Sequence, residues 1–272
     1  LYPKLGGIPM WGTPLTAAFA NLKLREVKIN AKVTPVDYDK TLTLGVFRVS
    51  FIRLTHSIPD PSHLVIETPI GIIYHGADYK FDFNPLDGKL PDIDAINAVG
   101  RRNVLLMTTD CLGSERPGFT PSEQKIRDAI IRDLDNTPGK FLFTTQSSNI
   151  SRIQLAIDIA RSRGRQVTFL GRSVHQNVEE SVKLSYMRFH RELIVRDRDL
   201  KRVPPSKQFL IVAGAQGQPE SALSRIANDR HQFVSIGEGD TVMFSADAIP
   251  GNENSVNALI DQIYRSSARV TY

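Results

Sequence analysis

The sequence predicts an α/β fold whose second half is a doubly wound, mainly parallel sheet. Two observations carry that expectation. From Lys140 onward, apolar runs of strand length alternate with helical stretches, the pattern of βαβ units. Between Lys32 and Ile73, by contrast, short apolar runs are separated only by Asp-, Pro- and Gly-containing turns, as in antiparallel strands. The change of rhythm places a domain boundary near Thr120, dividing residues 1–120 from 121–272.

Taken in order, Gly6-Gly7-Ile8-Pro9 leads to Thr13, a candidate N-cap, and Pro14 at the first position of a helix expected to reach about Leu24. Strands are expected at Thr43–Ile52, Leu64–Thr68 and Gly71–Tyr74, with a hairpin turn at Thr68-Pro69-Ile70-Gly71. A short helix at Asp92–Ala98 precedes Val104–Met107, which reads as a buried strand. Thr120-Pro121-Ser122-Glu123 has the composition of a helix start, with Thr or Ser capping and Glu supporting, and that helix should end before Pro138-Gly139. The later strands are Phe141–Thr145, Val167–Leu170, Phe209–Ala213 and Thr241–Ser245, with a last short run at Arg269–Tyr272. The helices between them are Ile150–Arg163, about Gln176–Tyr186, Ser221–Asn228 and Asn254–Ser266.

Composition narrows the function classes. No apolar run approaches the ~20 residues needed to span a bilayer, so a membrane role is not expected. The single cysteine, Cys111, excludes an internal disulfide and a Cys-rich zinc knot, and suits a reducing, cytoplasmic setting. A net charge of +5 is mild support for a polyanionic partner. Leu1-Tyr2-Pro3-Lys4 carries neither an initiator Met nor a signal-peptide pattern, and reads as the interior of a longer chain.

The candidate functional residues stand at the ends of apolar runs. His56, in Thr55-His56-Ser57-Ile58-Pro59-Asp60, and Asp78, in His75-Gly76-Ala77-Asp78-Tyr79-Lys80-Phe81-Asp82, pair a neutral-capable imidazole with a carboxylate, donors that suit a borderline or hard cation. Two donors are too few for a site. His63, His75, His175, His190 and His231 form no metal-ligand spacing. In the second half, Gln146-Ser147-Ser148-Asn149 and Gly171-Arg172-Ser173 put hydroxyls and free N–H groups where a helix N-terminus favours phosphate, although ordinary capping explains the same residues. Gly214-Ala215-Gln216-Gly217 is not a dinucleotide fingerprint. Arg161-Ser162-Arg163-Gly164-Arg165 could meet a nucleic-acid backbone, but sits at a helix C-terminus where cations are favoured anyway.

Jointly and in this order, several segments resemble the RNase J family of metallo-β-lactamase-fold, β-CASP ribonucleases. They are Ile8-Pro9-x-x-Gly12-Thr13-Pro14, Thr55-His56-Ser57-Ile58-Pro59-Asp60, His75-x-x-Asp78-Tyr79-Lys80-Phe81-Asp82, Glu115-Arg116-Pro117-Gly118-Phe119-Thr120-Pro121-Ser122-Glu123, Ser148-Asn149-Ile150-x-Arg152, Gly171-Arg172-Ser173, Gln216-Gly217-x-Pro219 and Ile249-Pro250-Gly251-Asn252. The resemblance implies part of a metallo-β-lactamase αββα sandwich over 1–120, followed by a β-CASP domain over 121–272. It implies His56 and Asp78 as metal ligands, Asp78 and Asp110 as catalytic carboxylates, and Ser148, with Asn149, Arg172 and Ser173, on the RNA phosphate. Two divalent ions are implied, zinc first, with manganese or magnesium as alternatives. The implied substrate is single-stranded RNA with a 5′-monophosphate, cut by a cytoplasmic homo-oligomer, dimer or tetramer. The family's His-x-His-x-Asp-His motif is expected before Leu1 and its last histidine motifs after Tyr272, so the chain is expected to be a central piece, inactive alone. Ala77, Ser151 and Gln218 depart from the family's usual Gly, His and Glu. They motivate the alternative of a degenerate RNA-binding or scaffold paralogue; a nucleotide-binding α/β protein is a third reading.

Overall fold

The computed structural model describes Lys4 and residues 7–272; Leu1-Tyr2-Pro3, Leu5 and Gly6 of the opening segment lie outside the described residues. The chain divides into two compact units, Leu1–Glu123 and Gln124–Tyr272. The architecture is mixed α/β with parallel sheets.

In the first unit, β1 (Met10–Gly12) pairs in parallel with β2 (Val33–Pro35), joined by helix α1 (Pro14–Glu26). Five strands make the main sheet: β3 (Thr41–Leu44), β4 (Phe47–Arg53), β5 (Ser62–Thr68), β6 (Gly71–His75) and β7 (Val104–Thr108), in that order across the sheet. The run expected as one strand over Thr43–Ile52 is two, because Gly45 at φ +63° turns the chain into a hairpin that pairs Leu44 with Phe47. The turn at Thr68–Gly71 closes as expected, with Thr68 opposite Gly71. The sheet's period of two sorts side chains cleanly. Ile52, Leu54, Val65, Ile72 and Tyr74 pack on Val99 of α2 (Ile93–Gly100). On the other face Val49, Phe51, Leu64 and His75 look into a cavity.

Two expectations change here. Val104–Met107 is a strand, but it is not buried: Leu105, Leu106 and Met107 are each at least half exposed. β7 is the edge strand and pairs only with β6, in parallel, so no neighbour covers it among the described residues. Thr13 occupies the N-cap position of α1 but makes no side-chain cap bond. Its hydroxyl instead donates to the Asp60 carbonyl, and the Asp60 carboxylate accepts the Leu15 N–H at 2.7 Å. Asp60, only 1% exposed, thus caps the helix from a distant loop.

The second unit begins with α3 (Gln124–Asp135) and holds five strands, all parallel: β8 (Phe141–Thr144), β9 (Gln166–Leu170), β10 (Gln208–Val212), β11 (Thr241–Phe244) and β12 (Arg269–Thr271). Their order is β12-β11-β8-β10-β9, so the first strand is central and the winding reverses around it. β8 and β10 are buried on both faces, which explains their unbroken apolar runs. Helices α4 (Ile150–Ser162), α5 (Arg172–Lys183), α6 (Ala222–Ala227) and α7 (Glu253–Arg265) make the crossovers. α5 starts four residues before the expected Gln176, with Gly171 at φ +109° as its N-cap. A Cβ on Gly171 would lie 2.5 Å from Ala213 Cβ, so that entry needs glycine twice over.

Asp60→Ala is expected to destabilise the first unit by about 1–2 kcal/mol through loss of the α1 cap. Urea unfolding followed by the fluorescence of Trp11, the only tryptophan, measures this. An unchanged midpoint contradicts the capping role.

Candidate metal and phosphate sites

His56 and Asp78 leave the main sheet on separate loops that the backbone then fastens together. Just beyond β4, Thr55 forms an isolated antiparallel bridge with Lys80, and its hydroxyl donates to the Lys80 carbonyl while accepting the Asp82 N–H. Each candidate ligand therefore lies within two residues of this clasp. Asp82, 3% exposed, accepts the N–H groups of Asn84 and Glu123 at 2.9 Å each. Lys80 reaches Glu123 at 2.6 Å and Asp82 at 3.8 Å. Burial alone would raise the Asp82 carboxyl, but the Glu123 and Asn84 amides, the Ser122 hydroxyl and the Lys80 charge hold it below the usual carboxylate value. Ser122 and Glu123, read from sequence as a helix start, serve this loop.

The structure brings His56 and Asp78 into the wall of one cavity of about 620 Å³, floored by the apolar face of the sheet. The half-buried His56 ring is hydrogen-bonded to Ser57, with Nδ1 3.1 Å from Oγ. Its pKa is held below 6.5, first by burial and also by Lys80, against the opposing pull of Asp78, Asp110 and Glu123. A neutral imidazole is the form that ligates metal. The Asp78 carboxylate accepts no hydrogen bond among the described residues. These donors fit part of a divalent-cation site. Among the described residues, however, no group of three or more His, Cys, Asp or Glu is placed to hold a metal ion. Asp110 is half-buried, follows the end of β7, and accepts the Leu112 N–H, so its charge reaches His56 without completing such a group.

His75 lines the same cavity, with Nδ1 2.8 Å from Thr108 Oγ1. Its position at the end of β6, three residues before Asp78, was the available sequence signal. Beneath it, His63 faces the core side of the sheet, 3% exposed, with Nδ1 2.7 Å from Tyr74 Oη. His63 Nε2 is buried with no hydrogen-bond partner among the described residues. Tyr74 and Tyr79 meet the imidazole edge-on.

In the second unit the phosphate candidates gather at strand C-termini. Ser147, Ser148 and Asn149 follow the central strand β8, the place where a doubly wound sheet opens a crevice. Asn149 is buried and caps α4, accepting the Arg152 N–H at 3.2 Å. Arg152 is turned onto the Ser245 carbonyl after β11. The Asn177 amide donates to the Ser147 carbonyl and hydroxyl, tying the β8 loop to α5. Ser148 and Ser173 are half-buried, and Arg172 is exposed at the start of α5. None of these three side chains has a hydrogen-bond partner among the described residues. The arrangement offers two helix N-termini, two hydroxyls and a guanidinium, a set suited to an anion.

Known proteins resemble the chain throughout. The family described as "Ribonuclease J, beta-CASP domain" matches residues 138–263. Ribonuclease J of Thermus thermophilus is 36% identical over 276 residues, covering 100% of this chain and 48% of the relative. Ribonuclease J 1 of Streptococcus pyogenes is 35% identical over 99% of this chain and 48% of its own length. Ribonuclease J2 of Bacillus subtilis is 34% identical over 97% and 48%. The chain thus spans about half the length of these curated relatives. A crystal structure of a protein of unknown function from Enterococcus faecalis shares the fold, with TM-score 0.68 and 13% identity over 97% of this chain and 63% of that one.

Burial and the neighbouring His75 lower the His63 pKa to about 4. Between pH 4 and the ordinary 6.5, an unfolded chain binds the proton that native His63 refuses, so stability rises with pH across that window. The contribution is complete above 6.5 and drains away as pH falls, on the order of 3 kcal/mol at most. His63→Gln keeps a partner for Tyr74 and removes the titration. Urea unfolding followed through Trp11 should show a shallower loss from pH 7 to 4.5 in the variant; parallel pH profiles contradict the assignment.

Proposed function

The chain belongs to the Ribonuclease J family, and on that premise we propose that it forms the central part of a metal-dependent ribonuclease. The observation that carries the reading is the convergence on one cavity of a neutral His56 imidazole and an Asp78 carboxylate that accepts no hydrogen bond among the described residues. His56 and Asp78 would hold divalent metal, zinc first, manganese or magnesium otherwise, with the remaining ligands supplied from beyond the described residues. Two bound ions would supply a lowered water pKa and neutralise charge on a phosphodiester. Residues 1–120 are assigned to a metallo-β-lactamase domain and 121–272 to the β-CASP domain.

The roles of this chain's residues follow from their chemistry. The Thr55–Lys80 clasp holds the two ligands in register. Asp78 and Asp110 supply negative charge beside the imidazole, and Asp110 is the group assigned to orient a proton at the attacking water. Ser148, Ser173 and Arg172 donate to phosphate oxygens, with Asn149 fixing the α4 N-terminus they use. The substrate is single-stranded RNA, 5′-monophosphorylated, cut from its 5′ end or internally. A homo-oligomer in the cytoplasm is the corresponding setting; no helix among the described residues is long and apolar enough to cross a membrane. Two donors hold metal weakly, so the 272-residue chain alone leaves RNA uncut.

In the full-length protein, His56→Ala or Asp78→Ala is expected to lower cleavage of a 5′-monophosphorylated RNA by at least about 100-fold, since even supporting partners of metal ligands are worth 10–100-fold. The isolated chain should show no turnover under the same conditions. Activity near wild type in either variant, or turnover by the isolated chain, contradicts the reading.

A further inference from the structure

Between α5 and β10, residues 184–207 carry seven Lys or Arg against three Asp or Glu, most of the chain's net +5. This connector is pinned along β9, the edge strand of the second sheet. The Gln154 side chain bonds both the N–H and the carbonyl of Arg188, Phe189 meets Phe169, and Ile194 bridges to Val167. Leu200 is 2% exposed, and Gln208 Nε2 donates to the carbonyls of Leu200 and Val203. Met187 and Leu200 are thus turned inward, and every Lys and Arg of the connector is exposed. Asp199 is consumed by Arg196 and Arg202, and Asp197 accepts the Arg198 N–H. Among the described residues, Arg188, Arg191, Arg198, Lys201 and Lys207 have no ion-pair partner, and Glu192 is the one exposed acid between them.

The band does not end with the connector. The Lys207 ammonium lies 3.7 Å from where a Cβ on Gly164 would stand, over the turn that carries Arg161 and Arg163. That turn precedes β9, and Lys207 precedes β10, two strands in parallel register from Gln166 and Gln208. The band therefore reaches the N-terminal end of the sheet, whereas Ser148 and Arg172 lie at the C-terminal end, about 16 Å away along a five-residue strand.

We propose that this band is a second polyanion surface, a track for the phosphate backbone of single-stranded RNA, separate from the phosphate site at the strand C-termini. Cations spread along a pinned edge, with no exposed Phe, Tyr or Trp among them to stack bases, suit sequence-independent contact with successive phosphates. The choice of RNA among polyanions rests on the function proposed above; the charge geometry does not.

The test compares the 272-residue chain with its Arg191→Gln/Arg198→Gln/Lys201→Gln/Lys207→Gln variant, all four positions being exposed. The probe is an oligouridylate with a 5′-hydroxyl, which leaves the proposed monophosphate site unused, and binding is followed across salt concentrations. Each lost phosphate contact removes roughly 0.7 from the slope of log Kobs against log salt, so the slope should fall by about 2–3 with an unchanged melting temperature. An unchanged slope, no binding by the wild-type chain, or displacement of the RNA by poly-glutamate at equal affinity overturns the proposal. Each of those results leaves the metal-site reading standing, because that reading is tested by cleavage.

Discussion

The clasp between Thr55 and Lys80 is the constraint on which the first unit's candidate site depends. β4 and β6 are not neighbours in the sheet, and the loops that leave them carry His56 and Asp78. The isolated Thr55–Lys80 bridge joins the beginning of one loop to the far side of the other. The Thr55 hydroxyl makes the joint two-sided by serving both Lys80 and Asp82. Asp82 then carries the constraint on to the Glu123 amide. Without that chain of contacts, a histidine and a carboxylate on two loops would sample geometries far wider than a metal ion tolerates.

Buried carboxylates act as fasteners here. Asp60 closes the far end of the His56 loop by capping α1, and Asp82 closes the Asp78 loop by accepting two backbone amides. Both Asp82 oxygens accept backbone N–H groups, and Asp60 accepts the Leu15 N–H on one oxygen and the Thr16 hydroxyl at 3.4 Å on the other, the condition under which burying a carboxylate is tolerable. The sheet between them faces two ways: toward a core with α2 on one side, and toward the cavity with His56, His75 and Asp78 on the other. The scaffold is thus stiff where the donors emerge; the His56 ring is engaged at Nδ1 by Ser57, and the Asp78 carboxylate accepts no hydrogen bond among the described residues.

The parallel half of the chain was the most legible. Strands buried on both faces need unbroken apolar runs, and their helices need a face of period 3.6, so both leave local traces. His56 and Asp78 were legible as donors at strand ends. What holds them was not, because Asp60 meets Leu15 across 45 residues and Asp82 meets Glu123 across 41, and no local pattern encodes such pairs. Thr13 reads as a candidate cap from local sequence for the same reason, since its hydroxyl's partner is the distant Asp60 carbonyl. Val104–Met107 reads as buried since composition cannot tell an edge strand from a central one. Gln176 looked like the start of α5 because Arg172, Ser173 and His175 mask the apolar repeat that Val174 and Val178 begin. The connector over 184–207 has no single period at all. It is built from three short 3-10 turns, Arg191–Leu193, Asp197–Arg202 and Pro205–Lys207, held by side-chain bonds from other elements.

The central claim is that the clasped loops present His56 and Asp78 to a single cation. Anomalous diffraction from crystals of the 272-residue chain soaked in manganese, and separately in zinc, addresses it without reference to activity. The expected result is one peak within bonding distance of a His56 ring nitrogen and an Asp78 carboxylate oxygen, absent in Asp78→Ala crystals. A well-occupied peak elsewhere in the first unit, or His56 and Asp78 facing apart in the electron density, would contradict the account.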